Sequence, residues 1–200
     1  MENTVLIGVC GMSGSGKSHV SRAFASLGGH HVDTDKIYHA LLEPRRGKLS
    51  PCALAIAREF GDEVVKDATI DRGALGKIVY SDPDRLLALN RIAHKYIKKA
   101  TLAEVRKCGA QFALIDAPVL FESGFDKLCD FTVCVCADDE TRIKRIVRRD
   151  NISEDDAKRR LANQTPQSDL VSMCDFTVDN SYGRDVTEDV KKILLEKGLI

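Results

Sequence analysis

Residues 11–18 read Gly-Met-Ser-Gly-Ser-Gly-Lys-Ser, set between an apolar run, Val5 to Cys10, and a segment of helical character that begins near Lys17. A strand that runs into a glycine-rich loop and then a helix N-terminus makes an anion site from backbone N–H groups. Gly11, Gly14 and Gly16 keep Cβ atoms out of the way of phosphate oxygens. In the pattern G-x-x-x-x-G-K-S, Lys17 reaches the β- and γ-phosphates and the Ser18 hydroxyl ligates Mg²⁺. The expected nucleotide contacts are Gly11, Met12, Ser13, Gly14, Ser15, Gly16, Lys17, Ser18 and His19. This stretch predicts that the chain binds a nucleoside triphosphate. What it does with the nucleotide has to come from the rest of the sequence.

The bulk properties exclude several classes. Two hundred residues suit one domain with room for an inserted subdomain, and an apolar fraction of 44% supplies a core. Lys plus Arg number 30 and Asp plus Glu number 30, a balance that argues against nucleic-acid binding through bulk positive charge. No stretch approaches the ~18 consecutive apolar residues of a membrane span. The N-terminal apolar run is short, lacks a basic flank and leads into the glycine loop, unlike a secretory leader. A cytoplasmic protein without membrane or nucleic-acid partners is expected; oligomeric state is left open. Cysteine occurs seven times without a C-x-x-C pair. Reduced thiols used as small apolar residues are therefore expected, and the linear spacing offers no metal site.

Along the chain, strands are predicted at 4–10, 30–33, 112–116, 131–136 and 176–178. Helices are predicted at 17–27, 36–42, 52–60, 82–107, 139–149, 153–163 and 185–197. Asp82-Pro83 is a helix start, since Asp caps and Pro suits the first helical position. Ser153 with Asp156 resembles a capping box. Short apolar strands alternating with helices predict an α/β fold, a three-layer α/β/α sandwich with a parallel sheet. Residues 44–108 show no convincing strand and read as a helical insertion, which leaves 1–43 and 109–200 as the nucleotide-binding core. Residues 149–165 would form a lid.

Among nucleotide-binding classes, a guanine-reading N-K-x-D motif is missing. The strand-ending Asp116 is followed by Ala117-Pro118, not by a second acid. A small-molecule kinase fits better. Asp33 and Asp35 follow the second strand, where a carboxylate can accept the proton of an attacking hydroxyl. One of them is expected to cap the next helix while the other does chemistry, and spacing does not assign them. Arg142, Lys144, Arg145, Arg148 and Arg149 supply positive charge for the equatorial oxygens of a transferring phosphoryl group, with Arg159 or Arg160 closing over it. Arg145 and Arg149 are the catalytic candidates beside Lys17. A kinase for a nucleoside or nucleotide acceptor, and a nucleotide-dependent regulator, remain alternatives at this point.

Several segments, in this order, resemble the dephospho-coenzyme A kinase family: Gly14 to Ser18, Val32-Asp33-Thr34-Asp35, Asn90-Arg91-Ile92-Ala93-His94, Asp116-Ala117-Pro118-Val119-Leu120-Phe121-Glu122, Arg149-Asp150 and Asp179-Asn180. The resemblance spans nearly the whole chain. It implies ATP-dependent phosphorylation of the ribose 3′-hydroxyl of dephospho-CoA, the last step of coenzyme A biosynthesis, with Mg²⁺. It further implies Asp35 as the base with Asp33 in support. Asp33, His94, Leu120, Phe121 and Glu122 would line the acceptor site, and Asn180 would lie near the adenine. Two departures stand out. Lys95 follows the helix histidine where the family commonly has Pro, and 44–51 is a longer, more basic loop. Its Arg45, Arg46 and Lys48 would either contact the acceptor's pyrophosphate or be solvated.

Overall fold

The computed structural model describes residues 4–182 and 184–200. Residues 1–3, the start of the expected core segment, and residue 183 lie outside the described residues. The chain divides into two compact units, one formed by the residues up to Val32 together with Val105–Ile200, the other by Asp33–Glu104.

The first unit is built on a five-stranded sheet. Its strands are β1 (Val5–Cys10), β2 (His30–Asp33), β5 (Phe112–Asp116), β6 (Phe131–Cys136) and β7 (Phe176–Asp179), in the order β2-β5-β1-β6-β7. β1 pairs in parallel with β5 and with β6, and β6 in parallel with β7. Every residue of β6, and all of β1 after Val5, is buried, as a central strand covered on both faces demands. Helices α1 (Lys17–Ser26) and α9 (Val186–Glu196) cover one face. Val20, Phe24, Val190, Ile193 and Leu194 there meet Ile7, Val9, Leu114 and Val133 of the strands. Phe24 and Phe112 meet edge-on, ring centroids 6.5 Å apart, the orientation that ring quadrupoles favour. The expected α/β sandwich with its parallel sheet is the observed architecture.

The same unit carries α6 (Asp139–Asp150), α7 (Glu154–Ala162) and α8 (Gln167–Met173). Ser153 caps α7 as its sequence foretells, accepting from Asp156 N at 3.1 Å. α8 was not expected. It starts behind Pro166, and its seven residues carry too short an apolar pattern to stand out.

The second unit contains α2 (Thr34–Leu42), α3 (Pro51–Phe60), α4 (Arg72–Val79) and most of α5 (Pro83–Cys108). Leu42, Cys52, Ile56, Phe60, Val64, Leu75 and Val79 form its core. Asp82 caps α5, accepting from Asp84 N at 2.9 Å. Two expectations need correction. The stretch 44–108 does hold strands, β3 (Val65–Lys66) and β4 (Thr69–Ile70), an antiparallel pair too short for alternation to show. Its turn places Asp67 and Ala68 at positive φ, without the glycine that usually signals such a turn. α2 begins at Thr34, two residues before the expected start, because Asp33 and not a later residue is its cap. In the basic loop, Arg45 and Lys48 bond each other's backbones around Arg46 and Gly47, both at positive φ. Arg45, Arg46 and Lys48 all point to solvent or near it.

Phe112 is 1% exposed and packs against Phe24 at the centre of the first unit's core. Phe112→Ala is expected to cost about 3–5 kcal/mol, the range for a buried aromatic truncated to alanine. A urea titration followed by circular dichroism would then show a lower midpoint with an unchanged slope. A midpoint equal to that of the parent chain would refute this placement of the core.

Candidate active site

The glycine loop leaves β1 at Cys10 and enters α1 at Lys17. Gly16 is the residue before the helix, with φ of 86°, and offers no side-chain cap to the first N–H groups. A Ser, Thr or Asp there would occupy those donors. With glycine they stay available to an anion, which the positive end of the helix also favours.

Above the loop lies a cavity of about 640 Å³, lined by residues 11–14 and 16–18, Pro118, Arg145, Arg148, Arg149 and Gln164. Four of these are cationic, and none is acidic among the described residues. The cavity is large enough for a nucleotide-sized ligand, and its charge selects an anionic one. Lys17 Nζ donates to Gly11 O at 3.0 Å, which keeps the ammonium over the loop. Ser18 is exposed on the first turn of α1 and faces the same space.

The loop is held from behind. Arg145 donates through one nitrogen to Gly14 O and Ser15 O, both at 3.2 Å, and through another to Asn180 O at 2.9 Å. The amide of Asn180 donates to Ser15 O at 2.7 Å. Because that nitrogen is the donor, Asn180 Oδ1 is the acceptor for His19 Nδ1, 3.0 Å away, so His19 carries its proton on Nδ1. Asn180, expected beside the adenine, is thus 2% exposed and turned into the loop's carbonyls. Ser15 is fully buried, and neither it nor His19 lines the cavity, unlike the other expected loop contacts.

The arginines divide by position on α6. Arg142 is buried against Met12 Sδ and pairs with Asp139. Arg148 and Arg149 line the cavity, and Arg149 donates to Ser13 Oγ at 3.2 Å while paired with Asp150. Arg159 and Arg160, expected to swing over the phosphates, instead pair with Asp156 and Asp150 and do not line the cavity. One contact was not foreseen: Gln164 Oε1 accepts from Ser13 N at 2.9 Å, tying the segment after α7 to the loop. A lone glutamine in a polar stretch gives no sequence signal for this.

Leu120, Phe121 and Glu122 line a second cavity of about 220 Å³ together with Cys10, Gly11, Met12, Pro118 and Gln164. The two cavities therefore share part of the loop. Asp116, at the end of β5, lies 3.5 Å from His31 Nε2 on the neighbouring strand β2.

In the second unit, Asp33 and Asp35 have different surroundings. Asp33 Oδ1 accepts from Lys36 N at 3.0 Å as the cap of α2, and its other oxygen lies 3.3 Å from Lys36 Nζ. Asp35 is exposed in the first turn of the helix. His94 is half-buried on α5. Burial, and then Lys98 one turn on, hold its imidazole below the usual histidine range, so it is neutral at neutral pH.

Comparison with known proteins places the chain. The sequence pattern of the family described as dephospho-CoA kinase matches residues 5–185. The dephospho-CoA kinase of Syntrophotalea carbinolica is 33% identical over 189 residues, 92% of this chain and 88% of that one. Among solved structures, a Thermus thermophilus protein has a TM-score of 0.82 at 27% identity, covering 98% of both chains. The dephospho-CoA kinase of Campylobacter jejuni has a TM-score of 0.69 at 27% identity over the full length of both. With its anion cavity on a glycine loop and a family match over nine-tenths of its length, the chain belongs to the dephospho-CoA kinase family.

Proposed function

We propose that the chain carries out the reaction its family is named for, transfer of the γ-phosphoryl group of ATP to the ribose 3′-hydroxyl of dephospho-CoA, giving CoA and ADP. The observation that carries this reading is the cavity walled by Lys17, Arg145, Arg148 and Arg149 over the uncapped N-terminus of α1, in a member of this family. The loop's N–H groups and Lys17 bind the triphosphate. A loose phosphoryl-transfer transition state spreads charge over the equatorial oxygens, and Arg148 and Arg149 face the space where that charge develops. Arg145, with three bonds to backbone carbonyls, keeps the loop in its binding shape. Ser18 would hold Mg²⁺; an exposed hydroxyl on the cavity wall is the oxygen ligand this hard cation takes. Held there, Mg²⁺ would offset negative charge on the phosphate oxygens during transfer.

Asp35 is the general base in this reading. Asp33 already has both oxygens engaged by Lys36, as helix cap and ion pair, which suits it to fix the start of α2. Asp35 lies one residue into that helix with its carboxylate exposed. By resemblance to the family, His94, Leu120, Phe121 and Glu122 are acceptor-binding residues, and the last three line the 220 Å³ cavity beside the loop. A neutral imidazole at His94 can donate or accept a hydrogen bond without adding charge. No helix among the described residues is long and apolar enough to cross a membrane. Seven free thiols suit a reducing compartment, and we place the reaction in the cytoplasm.

Purified chain, ATP and Mg²⁺ in a coupled ADP-release assay test the reading. Turnover should appear with dephospho-CoA and stay at background with nucleoside monophosphates; the reverse pattern would refute it. Asp35→Asn should lower kcat by about 10²–10⁴-fold, the usual range for a general base, with ATP affinity by calorimetry kept. Undiminished kcat would remove Asp35 from that role. Arg145→Ala should raise KM for ATP by roughly 10–100-fold, the equivalent of one or two charge-assisted hydrogen bonds, with KM for dephospho-CoA little changed. Arg145→Lys should not restore it, because one ammonium cannot span acceptors that a planar fork reaches. Equal loss in both KM values would point to general misfolding.

A further inference from the structure

The sheet register assembles a sulfur cluster that linear spacing does not disclose. Cys10 and Cys134 are directly paired on the parallel strands β1 and β6. Cys174, at the C-terminal cap of α8, comes in from a third element. The three Sγ atoms all lie within 4.8 Å of one another, and Cys10 Sγ is 3.3 Å from Cys174 Sγ. Cys134 Sγ also lies 3.6 Å from Cys136 Sγ. All are free thiols.

Two further features turn this from packing into a site. First, Cys174 is held in place. The adjacent Asp175 accepts from both the N–H and the hydroxyl of Thr132, at 2.7 and 2.8 Å, and Asp175 N donates back to that hydroxyl at 3.2 Å. Second, the cluster is reachable, because Cys10 lines the 220 Å³ cavity beside the loop. Tetrahedral zinc with sulfur ligands at ~2.3 Å needs sulfurs about 3.8 Å apart; Cys10 and Cys174, at 3.3 Å, would open slightly, and all three sulfurs already lie within 4.8 Å of one another.

We propose that Cys10, Cys134 and Cys174 form a three-thiolate site for a thiophilic divalent d¹⁰ cation of the zinc class, with solvent from the cavity as fourth ligand. Three S–metal bonds form, and the protons still on the thiols pass to solvent. The bound site carries one net negative charge, partly offset by Lys17, whose charge acts on Cys10. The ion joins the end of β1, from which the phosphate-binding loop departs, to β6 and to the end of α8. Cys52 and Cys108 take no part.

The test uses the full-length chain, reduced with a non-thiol phosphine and free of nucleotide, titrated with Cd²⁺. One equivalent should bind, with the ultraviolet thiolate-to-cadmium absorption of three thiolates, and Zn²⁺ should displace it. Cys174→Ser should weaken binding by at least about 10²-fold, more than the loss of a supporting group costs, while Cys108→Ser leaves it unchanged. Cys134→Val, an apolar replacement in a buried strand, should do the same as Cys174→Ser with an unaltered circular dichroism spectrum. Absorption from two or fewer thiolates, or parental affinity in Cys174→Ser or Cys134→Val, would overturn the proposal. None of these readouts depends on kinase turnover, so failure here leaves the proposed reaction standing, and the reverse holds too.

Discussion

The active region depends on how the carbonyls of the glycine loop are satisfied. A loop that aims its N–H groups at an anion must turn its C=O groups the other way, and buried carbonyls without partners are costly. Arg145 and Asn180 solve this together. They collect the oxygens of Gly14, Ser15 and Gly16 from beneath, and Arg145 also takes the carbonyl of Asn180 itself. Gly16 is what makes the arrangement fit. A Cβ there would stand 2.1 Å from Asn180 Nδ2 and 3.2 Å from Arg145, in a backbone conformation that side chains rarely adopt. The glycine therefore serves the carbonyl side of the loop as much as the phosphate side.

That support comes from far along the chain. Arg145 belongs to α6 and Asn180 follows β7, the edge strand beside β6, so the loop's carbonyls are met by groups more than a hundred residues away in sequence. The fold was legible because its signals are local. Asp82 before Pro83, and Ser153 three residues before Asp156, mark helix starts, and the apolar runs at 112–115 and 131–136 mark buried strands. α8 and the β3–β4 pair were not legible, because elements of seven and two residues carry no readable period.

The site was legible in kind but not in its division of labour. The motif identifies the loop, and the arginine-rich helix identifies a source of positive charge. Only geometry sorts the arginines, since a helix turns by about 100° per residue and spreads consecutive side chains around its axis. Arg142 goes inward to Met12, Arg145 goes under the loop, and Arg148 and Arg149 face the cavity. The two aspartates sort in the same way. A difference of two positions makes Asp33 the cap of α2 and puts Asp35 among the exposed residues of that helix's first turn.

The cysteines show the same limit from the opposite direction. Along the sequence, Cys10 is 124 residues from Cys134 and 164 from Cys174, and ligand patterns are recognised by close spacing. A parallel sheet ignores that distance, because its neighbours are joined through crossovers and not by turns. β1 lies between β5 and β6, so the residue that ends β1 is matched with one near the end of β6, and the phosphate loop begins at the next residue. The central strand that carries the nucleotide loop thereby also presents a thiol to Cys134 of β6 and to Cys174 at the end of α8. An α/β sheet of this order concentrates chemistry at the strand ends flanking β1, which is why the anion cavity and the sulfur cluster adjoin through a single peptide bond.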